Sequence, residues 1–107
     1  MIVVVFEFRP KPGLVDRYFD LAKALTPMVK EFDGFISIER AASVTNEGKF
    51  ISVSFWRDED SVNRWHEVQQ HRLAQAEGKA GIFDDYRITV ARTIRQYAKG
   101  QSRPEAA

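Results

Sequence analysis

One polar segment concentrates the side chains best suited to chemistry, Trp65, His71, Arg72 and Gln75; His66 is the other histidine of the chain. An imidazole can take and return a proton near neutral pH, and arginine and glutamine can donate to a developing oxyanion. The two histidines are five residues apart, so on a helix they lie roughly 140° from one another and not on one face, as a metal pair four apart would. A zinc site is not expected. The chain has no cysteine, which excludes a thiolate nucleophile, an iron–sulfur cluster, Cys-ligated zinc and a disulfide framework. Asp58, Glu59 and Asp60 read as helix capping and Asp84-Asp85 as a turn before the last strand; nothing in their spacing makes two carboxylates face each other. Gly78 and Gly81 are too sparse to cradle a phosphate. The basic stretch Arg87, Arg92, Arg95, Lys99, Arg103 splits between two faces of a strand, and Lys49 to Phe55 lacks the glycines of an RNA-reading sheet, so nucleic acid is not an expected partner.

These residues need elements to position them. Ile2 to Phe8 is dense in β-branched and aromatic residues and predicts a strand over about residues 2–9, ended by Pro10, Pro12 and Gly13. Leu14, Tyr18, Leu21, Leu25, Met28 and Phe32 recur at steps of four and three, the stripe of an amphipathic helix, with Asp33-Gly34 as its stop. Pro27 removes a hydrogen bond to the Lys23 carbonyl and predicts a bend. Residues 35–40 and 49–56 alternate with period two around Asn46-Glu47-Gly48, which predicts an antiparallel hairpin. A second helix starts at Asp58 to Asp60 and closes at Gly78 and Gly81, and a long last strand runs over residues 86–97.

The length of 107 residues fits one domain, over residues 1–97, with a polar tail over 98–107. Hydrophobic residues at 44% and a net charge of +1 exclude a disordered chain. The apolar run Ile2 to Phe6 meets Glu7 and Arg9 at once, so it reads as a strand and not as a signal peptide; no run approaches the roughly 18 residues of a membrane helix. No membrane partner is expected, and the absence of cysteine suits the cytoplasm.

The element order βαββαβ is that of a ferredoxin-like α+β fold, an antiparallel sheet with both helices on one face. Helices cover one side of such a sheet, yet Ile2 to Phe6 is apolar on both. The expected cover is a second copy, giving a homodimer and a dimeric α+β barrel. The second helix is polar where the sheet needs apolar cover, so it is either half exposed or the roof of a cavity that holds water or ligand.

Several motifs together resemble the antibiotic biosynthesis monooxygenase (ABM) family of dimeric α+β barrels: Asp33-Gly34-Phe35, Phe55-Trp56-Arg57-Asp58-Glu59, Trp65, His71-Arg72-Leu73-Ala74-Gln75 and Phe83-Asp84-Asp85-Tyr86. The resemblance spans residues 2–97. It implies oxygenation of an electron-rich aromatic substrate (a phenol, quinol or anthrone) by O2 with no cofactor, because such a substrate supplies the electrons once deprotonated. On that scheme Trp65 shapes the pocket wall, His71 accepts the proton, Arg72 and Gln75 are donors, and Phe6 and Phe8 line the floor. A haem-degrading branch of the family is an alternative. That branch has an Asn where this chain has Phe6 (or Glu7, if the register slips by one), and an axial His ten residues past the Trp, where this chain has Gln75. A ligand-binding or stress-associated barrel without enzymatic activity is a further alternative.

Overall fold

The β-branched run at the N-terminus takes the middle of the sheet, flanked on both sides. In the computed structural model, which describes residues 1–77 and 81–101 apart from the side chains of 75–77, the elements are β1 (Ile2–Pro10), α1 (Val15–Lys30), β2 (Phe35–Ala42), β3 (Phe50–Trp56), α2 (Glu59–Glu77) and β4 (Phe83–Arg92). The strands lie in the order β2-β3-β1-β4, and all three pairings are antiparallel. This is the expected ferredoxin-like α+β fold.

Local signals explain the joints. α1 ends at Lys30 with Glu31 as its C-cap; Gly34, with φ 93°, then turns the chain into β2, and Gly48 closes the β2–β3 hairpin with φ 81°, both in the left-handed region that glycine enters without strain. α1 runs as one helix through Pro27. Its deepest residues are Tyr18, Ala22 and Val29, with Leu21, Leu25 and Met28 half-buried beside them, so the stripe is rotated slightly from the one the sequence predicts. The last strand is shifted too. It begins at Phe83, so Asp84 and Asp85 lie inside it instead of in a turn, and it ends at Arg92 instead of Tyr97. The cause is the partner strand: Arg92 pairs with Ile2, where β1 begins, and the Met1 carbonyl accepts the Thr93 N–H at 2.9 Å. Composition alone does not reveal where a neighbour runs out.

Alternate residues of β1 serve different sides. Ile2, Phe8 and their even-numbered neighbours point toward the helices and form two buried clusters, one around Ile2, Val29, Trp56, Val62 and Trp65, the other around Phe8, Tyr18, Ala22 and Ile82. The odd-numbered residues Val3 and Val5 point the other way. They pair with Phe55 and Val53 of β3 and with Ala91 and Thr89 of β4, and belong to neither cluster. At the end of that outer face Glu7 accepts from Lys49 Nζ at 2.9 Å and lies 3.7 Å from Arg87 Nε.

Candidate functional site

The motif residues Asp33-Gly34 and Arg57-Asp58 build a clasp that fixes the start of α2. Arg57 donates to both carboxylate oxygens of Asp33, at 2.9 and 3.1 Å, and through Nε to Asp58 at 3.0 Å. Asp58 caps α2 by accepting the backbone N–H of Ser61 at 2.9 Å and its hydroxyl at 2.7 Å. Those two bonds, then the one from Arg57, hold the Asp58 carboxyl well below the usual carboxylate range. Arg57 does the same for Asp33. Gly34 lets the two pieces touch: a Cβ there would overlap Ser61, which is fully buried. The clasp sets the direction of α2 and so delivers Trp65 to the core, where its ring meets Phe32 at 5.2 Å and stacks toward Trp56 at 6.4 Å.

Beyond Trp65 the helix leaves the sheet uncovered, and a cavity of about 230 Å³ opens between them. Its floor is two cross-strand rows. Ile38, Ser54, Val4 and Val90 form one, and Ser52, Phe6 and Ile88 the other, each set by strand register. Its roof is Val62, Trp65, His66, Gln69, Gln70 and Leu73, the spacing of a single helical face, with Asn63 at its margin. The roof is apolar at Val62 and Trp65 and polar at His66, Gln69 and Gln70. This is the mixture expected of a site that must hold an apolar body and orient it. An engineered cavity of roughly 150 Å³ admits benzene, so one or two fused rings suit this space.

Of the residues expected from the sequence, Trp65 and Phe6 line the cavity. The other expectations fall elsewhere. Phe8 is 1% exposed and packed on Tyr18 and Phe83, inside the neighbouring cluster. His71 and Arg72 are exposed and outside the lining. The reason is angular. Counted from Val62 at about 100° per residue, His71 comes out at roughly 180°, whereas His66 comes out at roughly 40°. The backbone of Gln75 lies in α2, but its side chain is outside the described residues, as are residues 102–107 of the expected tail. His66, Asn63, Gln69 and Gln70 are the polar lining that the sequence reading passed over, and the same wheel, anchored on Val62 and Trp65, was the signal available to find them.

Among the described residues no three His, Cys, Asp or Glu side chains are grouped to hold a metal ion. Haem does not fit the cavity of this protomer. A porphyrin calls for a pocket of several hundred Å³ and an axial ligand, and at the position ten residues past Trp65, where the haem-degrading branch has its axial His, this chain has Gln75.

A one-sided ferredoxin-like sheet, a motif-built clasp and a roofed cavity define a small α+β domain. The family model for the antibiotic biosynthesis monooxygenases matches residues 1–77, and the chain belongs to that family. It is 42% identical over 90 residues to jasmonate monooxygenase ABM of Pyricularia oryzae; the match covers 84% of this chain but 42% of that protein, so the chain spans less than half of its relative. It is 27% identical over 79 residues to YqjZ of Bacillus subtilis, an uncharacterized protein, covering 74% of this chain and 68% of that one. Among solved structures, a variant of MhuD with two manganese protoporphyrin IX molecules bound per active site superposes with a TM-score of 0.72 at 10% identity, covering 92% of this chain and 99% of that one, which establishes likeness of fold.

Proposed function

We propose that the protein is a monooxygenase that holds an electron-rich aromatic substrate between α2 and the sheet and oxidises it with O2, without a resident cofactor. The cavity carries this reading: about 230 Å³, walled by Trp65, Phe6 and Ile88, with His66, Gln69 and Gln70 along one face of its roof. His66 takes the proton of a substrate hydroxyl. The resulting anion gives an electron to O2, the two radicals combine at a ring carbon, and loss of water leaves a quinone. One oxygen atom enters the substrate, the other leaves as water, and the substrate supplies all the electrons. Gln69, Gln70 and Asn63 offer amide donors to the oxyanion, and Trp65 with Phe6 sandwiches the ring and excludes water.

The working unit in this proposal is a homodimer. Val3, Val5, Ile51, Val53 and Phe55 are half-buried on a sheet face that neither core cluster uses, and a second copy of that face is its simplest cover. Sedimentation should show a dimer at micromolar concentration; a stable lone protomer overturns that part.

Oxygen uptake with hydroquinone, a naphthalenediol and anthrone tests the activity, with jasmonate included because a relative bears that name. Uptake that falls about a hundredfold in His66→Ala while the fold is retained supports the assignment. Binding of the aromatics with no uptake would instead make the protein a binding module, and turnover of jasmonate alone would overturn the aromatic substrate class.

A further inference from the structure

Beside the cavity, on a smaller gap that shares some of its walls, lies a cation without a carboxylate. Arg40 of β2 lies in the same cross-strand row as the floor residues Ser52, Phe6 and Ile88, paired directly with Ser52. It faces inward and is half-buried. Among the described residues no carboxylate comes within ion-pair distance of it, and its Nε is buried with no hydrogen-bond partner. A small gap of about 20 Å³, the size of a single water, separates Arg40 from the main space. The two share Ile38, Trp65, Gln69 and Leu73 as walls, so the gap adjoins the chamber. Tyr18 closes its far side at 4% exposure; burial pushes its phenol up and the nearby Arg40 guanidinium pulls partly back, so the hydroxyl stays protonated and able to donate.

We propose that Arg40, Tyr18 and Gln69 form an anion subsite that takes the carboxylate of a ring-bearing acid whose ring lies in the main cavity. This rests on the cavity reading above and narrows its substrate class to amphipathic carboxylates. A buried Nε–H beside a planar fork suits a two-oxygen acceptor better than a single hydroxyl. The spacing is suitable as well. Phe6 and Arg40 stand two strands apart, roughly 10 Å at the usual interstrand distance, which a fused bicyclic ring with a short acidic arm spans once the length of the arginine side chain is allowed for. The floor therefore runs from aromatic at Phe6 and Ile88 to cationic at Arg40, and orients such a ligand end to end.

Calorimetric titration of the full chain with 1-naphthaleneacetate and with its neutral amide, 1-naphthaleneacetamide, tests this. The expected result is that the acid binds about tenfold tighter than the amide, that Arg40→Gln abolishes the preference, and that Arg40→Lys restores part of it. The Arg40 Nε–H resonance should move on addition of the acid and not of the amide, a readout that needs no variant to fold. Equal affinity of the wild-type protein for acid and amide overturns the anion subsite and leaves the cavity reading standing. Binding of neither probe overturns both.

Discussion

The two halves of α2 are built to opposite specifications. The first turn is tied down by the bidentate Arg57–Asp33 pair, the Asp58 cap and the contact of Gly34 with Ser61. The segment from His66 to Leu73 faces open space and makes no such ties among the described residues. Trp65 stands between them and takes part in both, 7% exposed in the core cluster and present in the cavity wall. The contrast shows that sequence specificity in this helix is spent first on aiming it. The motif residues Asp33-Gly34-Phe35 and Trp56-Arg57-Asp58 do structural work, and the polar side chains of the cavity roof, His66, Gln69 and Gln70, lie outside those motifs.

Removing the joint should blur the contrast most. Trp65→Ala empties a buried ring and is expected to cost about 3–5 kcal/mol, with a lower melting temperature and weaker binding of aromatic probes together. Gly34→Ala strains a left-handed backbone and drives a methyl group into Ser61, at about 3 kcal/mol, which for a domain of this size lowers the melting temperature by roughly 15 °C. Aromatic binding should weaken as well, because the clasp sets the direction of the helix that roofs the cavity.

Acid sharpens the comparison. The folded Asp58 and Asp33 carboxyls sit below their ordinary values, so their stabilisation is fully present above about pH 4 and is lost as pH falls through their folded-state values. A melting-temperature profile from pH 7 to pH 2 should fall more steeply in the wild type than in Asp58→Asn, where one of the titrating groups is gone; parallel profiles would remove Asp58 from the account. The smallest effect belongs to His71→Ala, on the solvent side of the open half. Its melting temperature should stay within about 0.5 kcal/mol of stability, and its oxygen uptake should match the wild type.

What the sequence made legible follows from what is periodic in it. Strand alternation and the four-three spacing of α1 placed every element, because burial on one face imposes those periods directly. Trp65 and Phe6 followed, being large and apolar on faces the periods define. His71 did not, because its polar neighbours suggested function while its angle from Val62 decided its direction. Arg40 could not be read at all as a partner of Tyr18: the two are 22 positions apart, on different elements, and meet only when α1 packs over the sheet. The end of β4 follows the start of β1, where Arg92 pairs with Ile2, which no inspection of Tyr86 to Tyr97 reveals.

Strand alternation in β1 has an evolutionary consequence. A change at Val4 or Phe6 alters what the chamber accepts, and a change at Val3 or Val5 alters what lies against the back of the sheet, yet these positions interleave within one short strand. On the proposed dimer and ligand, selection can therefore tune ligand choice and self-association through separate residues of the same segment, and a descendant chain can trade its substrate while keeping its assembly intact.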